Sequence, residues 1–160
     1  MWLLIDDNLW LDSIWVGQAT SLFKKVGMDL KVLKIKVGSG NTGLKKLKEL
    51  PIEGKRLIIT NGKINYQRRG AILFEYEGLC EKVSGEIGVV STKSLNKKTM
   101  FIALHEALHL VGLKHCQSNG CLMALKLCAG ELKYCLSCNN VCKEIMVCGE
   151  CYGRIRKDNS

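Results

Sequence analysis

The segment that most constrains this chain runs from His105 to His115 and reads H-E-x-x-H-x-x-G-x-x-H. His105 and His109 are four residues apart, so on an α-helix they lie on one face, one turn apart, and can bind one metal ion. Gly112 can adopt the left-handed conformation that ends a helix, which lets the chain turn back and bring His115 to the same ion. Three protein ligands that leave one position for water are typical of catalytic zinc.

Glu106 directly follows the first of these histidines, where its carboxylate can reach a water molecule on the metal. The chain has three histidines in all, and a random distribution of three would give this spacing in about 2 of 10,000 cases before Glu106 is required. The simpler alternative is a helix whose histidines are ordinary core or surface residues. That alternative is the usual one for a single histidine, but it leaves the spacing unexplained, so we favour a metal site.

The pattern continues with C-x4-C-x-M, which ends at Met123, and with a later C-x-x-C pair. Over residues 105–123 it resembles the archaemetzincins, a family of zinc peptidases in the metzincin clan. The resemblance implies a metallopeptidase that hydrolyses peptide bonds with a zinc-activated water, with the three histidines as ligands of the catalytic zinc and Glu106 as general base. It also implies that Met123 supports the imidazoles from below without binding the metal.

Eight of the nine cysteines follow residue 115, and their C-x-x-C spacings favour metal thiolates over disulfides. Four thiolates around one zinc make a closed site, which is structural because no position is left for water. The resemblance implies such a second zinc, so we predict two zinc ions per chain. The structural zinc would hold the loop that carries His115 and would contribute to folding. Its predicted ligands are Cys116, Cys121, Cys135 and Cys138.

The C-x-x-C pair that completes this structural site is open, because the spacing after the methionine in the family matches neither pair of this chain. We prefer Cys135 and Cys138 because Tyr134 supplies the aromatic residue that usually precedes the pair in the family. Cys148 and Cys151 are the rival, since the two pairs together look like a small zinc ribbon. A third zinc could be bound by Cys128, Cys142, Cys148 and Cys151.

The first sixty residues alternate between short apolar segments and helical patterns. We expect Asp6, Asp7 or Asn8 to cap the first helix and Gly27 to end it. The order strand, helix, strand, helix, strand predicts a parallel sheet with helical crossovers. The predicted elements are a strand at 2–5, a helix at 11–26, a strand at 30–37, a helix at 43–50 and a strand at 56–60.

Residues 71–77 predict a further strand with a mixed polar face, which suits the edge of a sheet. In metzincins the edge strand runs antiparallel and borders the cleft, so the resemblance makes 72–76 candidates for backbone hydrogen bonds to a substrate. A strand at 87–90 and an active-site helix at about 97–111 follow, and Ser94 or Asn96 can cap that helix. Its remaining apolar residues are expected to pack on the sheet.

These elements predict an α/β fold with a metzincin-like mixed, mainly parallel sheet, an antiparallel edge strand, an active-site helix and a small Cys-rich zinc-binding C-terminal segment. We expect a single metallopeptidase domain over 1–160, with the sheet and active-site helix in 1–115 and the Cys-rich segment in 116–160. No apolar run is long enough to span a membrane, and the acidic start of the chain argues against a signal peptide, so we expect a cytoplasmic protein.

The net charge of +9 comes mainly from lysines that are spread along the chain, which favours a solvated surface over a polyanion-binding patch. We therefore expect a monomer that acts on a peptide or small protein, without nucleic-acid or membrane partners. The alternative is a non-catalytic zinc-binding module that binds nucleic acid or protein, but it gives Glu106 no purpose. A redox protein ranks last, because no βαβ unit carries the cysteine pairs.

Overall fold

The fold was analysed in a computed structural model of the chain. The described residues are 1–37, 47–62, 65–66, 74–75, 78–118, 121–124 and 147–158.

Seven strands and three helices are present within the described residues. The helices are α1 (Ser13–Lys24), α2 (Lys97–Leu110) and α3 (Gly149–Asp158). The strands are β1 (Trp2–Asp6), β2 (Lys31–Ile35), β3 (Arg56–Thr60), β4 (Asn65–Tyr66), β5 (Phe74–Glu75), β6 (Gly78–Cys80) and β7 (Ile87–Ser91).

The main sheet, as far as the structure describes it, has five strands in the order β2-β1-β3-β7-β6. The first four run parallel, and β6 pairs antiparallel with β7 at one edge. Strands β1, β3 and β7 are almost wholly buried, whereas the other edge strand, β2, is largely exposed. The predicted α/β fold with a mixed, mainly parallel sheet and an antiparallel edge strand is confirmed.

The position of the antiparallel edge strand differs from the prediction. We expected residues 71–77 to form it, but the edge of the main sheet is β6, which begins at Gly78. Within the predicted strand, 74–75 instead pair with 65–66 in a separate two-stranded sheet. The other residues of 71–77 lie outside the described residues. Because Gly78–Cys80 has only three residues, it is too short for periodicity to identify it as the strand that joins the main sheet.

Helix α1 begins later than predicted. Its cap is Asp12, whose Oδ1 accepts a hydrogen bond from the Trp15 backbone N–H at 2.7 Å. Asp6 is instead fully buried, where it accepts hydrogen bonds from the Asn8 backbone and the Thr60 hydroxyl. Gly27 ends the helix, as expected, with a φ of 79°. The first half of the helix predicted at 43–50 lies outside the described residues, which resume at residue 47.

Alternate residues of the central strands pack on opposite sides of the sheet. Leu3, Ile5 and Leu57 contribute to a large core with α1 and α2, and Cys151 of α3 belongs to that same core. Leu4 and Ile58 contribute to a smaller core on the other face. The histidine helix α2 is therefore held between the sheet and α1. Among the described helices, none is both long and apolar enough to cross a membrane.

Candidate active site

Helix α2 is fixed at its N-terminal end by a side-chain cap. Asn96 Oδ1 accepts a hydrogen bond from the Thr99 backbone N–H at 3.0 Å, as expected for one of the two predicted caps. The Trp15 indole Nε1–H donates to the Asn96 carbonyl at 3.1 Å and so ties α1 to the start of α2. The helix then packs on β7, β6 and β3, and this buries almost every residue from Thr99 to Leu110.

The C-terminal end of α2 turns back through a left-handed glycine, as the sequence predicted. Gly112 has a φ of 99° and donates its N–H to the His109 carbonyl at 3.0 Å. The Leu113 N–H reaches back to the Leu108 carbonyl at 3.0 Å, which completes the paired hydrogen bonds of a Schellman motif. This turn reverses the chain within a few residues of the helix and brings His115 back to the helix face.

The three histidines converge, with their ligand atoms within 4.8 Å of one another. His109 Nε2 lies 3.1 Å from His105 Nε2 and 3.0 Å from His115 Nε2. His105 and His109 are buried, and His115 is the exposed member of the three. One side of this histidine site is therefore open to solvent and could admit a substrate.

Backbone carbonyls fix the orientation of two of the three rings. His105 Nδ1 donates to the Leu122 carbonyl at 2.7 Å, and His109 Nδ1 donates to the Leu113 carbonyl at 2.7 Å. A carbonyl can only accept, so each Nδ1 carries the proton, and each Nε2 presents a lone pair to the centre of the site. Lone pairs that face each other at about 3 Å repel unless they share a cation.

Burial favours the neutral form of these imidazoles. It lowers the pKa of His105 to about 4, and repulsion from the two neighbouring rings contributes to the same shift. Burial also lowers the pKa of His109 and, because its side chain is partly covered, that of His115. Since neutral imidazole is the metal-binding form, the site is prepared for a cation near neutral pH.

Glu106 lies on the same helix and is buried beside the edge strand. Its side chain is 6% exposed, and burial raises the pKa of its carboxyl to about 8. A Cβ added to Gly78 would lie 2.7 Å from Glu106 Oε1 and 3.0 Å from its Cγ. The carboxylate therefore occupies the space that a side chain at the start of β6 would take.

A second group of ligand atoms lies near the histidine site and consists of four thiols: Cys116, Cys121, Cys148 and Cys151. We call these four residues the cysteine cluster. Their sulfur atoms all lie within 4.8 Å of one another, and Cys121 Sγ is 3.9 Å from Cys151 Sγ. Backbone N–H groups of Met123 and Cys148 donate to Cys121 Sγ at 3.4 Å each. Such N–H donors stabilise thiolate charge.

The pair that joins Cys116 and Cys121 in this cluster is Cys148 and Cys151, which the sequence offered as the rival pair. The preferred pair, Cys135 and Cys138, lies outside the described residues, and so do Cys128 and Cys142. Cys80 lies on β6 and is not a member of the cluster. Met123, the predicted support of the imidazoles, is fully buried.

Sequence reasoning missed three positions that shape the site. Gly78 leaves room for Glu106, and the carbonyls of Leu113 and Leu122 orient two histidines. A glycine between two apolar segments is a weak signal of close approach. The carbonyls give no signal, since every residue has one.

No protein-family model matches the chain, and no curated protein matches it in sequence. Among the solved structures that are similar to the chain, three match over nearly their whole length. The archaemetzincin from Archaeoglobus fulgidus, complexed with malonate, is 24% identical at a TM-score of 0.64 and covers 96% of this chain and 99% of its own.

The archaemetzincin from Methanopyrus kandleri is 17% identical at a TM-score of 0.68 and covers 99% of this chain and 95% of its own. A zinc-dependent peptidase from Methanocorpusculum labreanum is 17% identical at a TM-score of 0.65 and covers 97% and 100%. Each of the three matches covers at least 96% of this chain, so this chain has the archaemetzincin fold.

Proposed function

We propose that the chain is a zinc-dependent metallopeptidase, with the catalytic zinc bound by His105, His109 and His115. The observation that carries the proposal is the convergence of three imidazole Nε2 atoms, on a helix that also carries Glu106 and on the turn that follows it. The similar solved structures support it, because two are named archaemetzincins and one a zinc-dependent peptidase.

The geometry of the histidine site suits zinc. Zinc–nitrogen bonds of 2.0–2.1 Å in a tetrahedron separate the nitrogens by about 3.3 Å, close to the 3.0 and 3.1 Å between the Nε2 atoms here. Three neutral nitrogen ligands also leave the fourth position open, as catalytic zinc requires. When bound, the zinc would activate a water molecule and polarise the scissile carbonyl.

Glu106 is the proposed general base, and its environment suits the role. A carboxyl whose pKa is about 8 in the metal-free site holds protons more firmly than an ordinary glutamate. The positive charge of a bound ion would lower that pKa and favour the carboxylate. A base whose pKa lies near the working pH can take a proton from the attacking water and then give it to the leaving amine.

We propose that the cysteine cluster, Cys116, Cys121, Cys148 and Cys151, binds a second, structural zinc. Zinc–sulfur bonds of 2.3 Å in a tetrahedron separate the sulfurs by about 3.8 Å, and Cys121 Sγ is 3.9 Å from Cys151 Sγ. We prefer this ligand set to the one completed by Cys135 and Cys138 because four clustered thiols already fill a tetrahedral zinc site. The metal would fix the chain immediately after His115.

The experiment that tests the function is digestion of a mixed peptide library by the zinc-loaded protein, read by mass spectrometry. Glu106→Gln is the matched variant, because glutamine has the same shape but cannot take a proton. We expect cuts with the wild type, none above background with Glu106→Gln, and equal zinc contents in the two proteins. Retained cleavage by Glu106→Gln would refute the role of Glu106.

A ligand variant separates metal binding from proton transfer. His109→Ala should lose both cleavage and about one zinc per chain, measured by elemental analysis. If the wild type carries zinc at the histidine site but cuts no peptide in a diverse library, the peptidase proposal fails. The chain would then be a zinc-binding scaffold without hydrolytic activity.

A further inference from the structure

We infer that the cysteine cluster sets the metal affinity of the histidine site, through the Leu122 carbonyl as a positioning group on His105. The inference rests on the proposed function, since it takes zinc as the ligand of both sites. It goes beyond that function because it makes the two metals energetically dependent on each other. A zinc ion in the cluster would then strengthen the binding of zinc by the histidines.

The first part of the argument is the order of residues along the chain. Cys116 directly follows His115, and Cys121 directly precedes Leu122. Two members of the cluster thus lie just inside the two ends of segment 115–122, which serves the histidine site. One end of the segment supplies the third imidazole, and the other end supplies the carbonyl that holds the ring of His105 at 2.7 Å.

The second part is that this segment is held together by hydrogen bonds between its own residues, one of which is accepted by a sulfur of the cluster. The Cys116 N–H donates to the Met123 carbonyl at 2.8 Å, and Cys116 forms an isolated bridge with Ala124. The Met123 N–H donates to Cys121 Sγ at 3.4 Å. Met123, which directly follows the Leu122 carbonyl, is therefore bonded through its N–H to the sulfur of Cys121 and through its carbonyl to Cys116.

The third part is an external anchor. Cys148 and Cys151 reach the cluster from the start of α3, and Cys151 is 2% exposed within the main core. The Cys148 N–H donates to Cys121 Sγ at 3.4 Å. A metal that joins the four sulfurs would tie the segment after His115 to this anchored helix.

His109 provides an internal contrast. Its Nδ1 partner is the Leu113 carbonyl, which is held by the Schellman turn at the end of α2 and by no cysteine. Filling the cluster should therefore order His105 and His115 but leave His109 almost unaffected. This difference between two buried histidines on one helix follows from the contacts and would be absent if zinc in the cluster merely stabilised the whole fold.

The physical consequence is a coupling free energy between the sites. Hydrogen bonds to the second nitrogen of a metal-binding histidine fix its tautomer and orientation, and their loss typically costs about 10- to 100-fold in metal affinity. A bound metal holds its cysteine ligands in one arrangement, so without it they are free to separate. An empty cluster should thus weaken zinc binding at the histidines by about tenfold or more, and linkage requires the reverse effect to be equal.

The first test removes the anchor without touching the histidine segment. Cys148→Ser/Cys151→Ser leaves residues 97–124 unchanged, and Cys80→Ser is the matched control outside the cluster. Zinc affinity of the histidine site is measured by chelator competition, and circular dichroism and thermal unfolding report on the fold. We expect at least a tenfold loss of affinity in the double variant and none in the control. Unchanged affinity in a folded double variant that has lost the cluster metal would overturn the inference.

The second test uses the wild type, so it stands even if the double variant fails to fold. One equivalent of Cd²⁺, which thiolates select over imidazole, is added to metal-free protein labelled with ¹⁵N in its histidines. We expect the His105 ring to shift to a single tautomer protonated at Nδ1, while the His109 ring changes little. Equal responses of both rings, or none, would overturn the inference.

The outcomes also distinguish the inference from the proposed function. Wild-type protein that binds no zinc at the histidines would refute the proposed function. Wild-type protein that binds it and cleaves peptides, with the same histidine-site affinity whether the cluster is filled or empty, would refute only the coupling.

Discussion

Replacing Gly78 with alanine is the most direct test of how β6 serves the site. A Cβ at this position would lie 2.7 Å from Glu106 Oε1 and 2.7 Å from Ile102 Cγ2, whereas ordinary van der Waals contact begins at 3.4 Å. To make room, the carboxylate must move by about 0.7 Å or the strand must shift by a similar distance. Either movement would displace the carboxylate of the proposed general base from its present position relative to β6.

The expected effect is larger on catalysis than on stability. Overpacking lowers the free energy of unfolding by about 1–3 kcal/mol, and replacing a strand glycine with alanine raises it by roughly 0.5–1 kcal/mol. The melting temperature should therefore fall by only a few degrees. A displacement near 1 Å of a catalytic group can cost about 100-fold in rate. We therefore expect kcat for a cleaved peptide to fall about 10- to 100-fold, with full zinc content.

Gly88→Ala is the matched control on the neighbouring strand. Its Cβ would lie 2.9 Å from Leu57 Cδ1 but 3.6 Å from Glu106 Cβ, so it overpacks the core and leaves the carboxylate in ordinary contact. Both variants should lose similar stability, and only Gly78→Ala should lose most of its kcat. Equal losses of kcat, or wild-type kcat in Gly78→Ala, would refute the claim that this glycine makes room for Glu106.

Three further changes test the electrostatics and the ends of helix α2. In metal-free protein, the stability advantage of Glu106→Gln over the wild type should grow as pH rises from about 4.5 to about 8, because Glu106 then ionises while buried, and should reach up to roughly 5 kcal/mol above pH 8. Near pH 4 the two proteins should be equally stable, and the histidines, whose pKa values burial lowers in both, do not contribute to this difference. A constant difference across pH would contradict this. Asn96→Ala should lower the free energy of unfolding by about 1 kcal/mol in urea, while Asn96→Asp keeps the cap. Gly112→Ala should cost about 1–2 kcal/mol, since its φ is 99°, and should weaken zinc binding measured by chelator competition; unaltered affinity would show that the turn does not position His115.

The sequence was sufficient to predict α2 and the convergence of its histidines, because each feature there depends on local spacing. His105 and His109 share a face of any helix, and Gly112 is a residue that tolerates a φ of 99°. The parallel strands were predictable for a related reason. A strand that is buried on both faces, such as β3, has an unbroken apolar run that few other elements have.

The residue at which α1 starts and the strand at the edge of the sheet could not be predicted from the sequence, because segments with similar patterns compete for each of these roles. Asp6 and Asp12 are both able to cap a helix. Asp6, however, follows a buried strand, and its carboxylate already accepts hydrogen bonds from Asn8 and Thr60. Only Asp12 remains at the solvent-facing entrance to the helix. Which candidate caps the helix is thus decided by tertiary contacts that a local pattern does not contain.

The cysteines illustrate why a motif can predict a type of site without predicting all of its members. Two C-x-x-C pairs have the same local geometry, and the choice between them depends on which pair the fold carries to Cys116 and Cys121. Cys148 and Cys151 start a helix whose Cys151 is buried in the main core, so hydrophobic packing of α3 and metal binding favour the same position. The apolar residues that bury α3 therefore help to place two of the four thiols of the proposed metal site. Ile155→Ser changes none of the four cysteines but weakens that packing, so it should lower the metal affinity of the cysteine cluster. Arg154→Ser, on the exposed side of α3, should leave that affinity unchanged. Equal cluster affinity in wild type and Ile155→Ser, measured by chelator competition, would show that the four thiols hold the helix in place without help from the core.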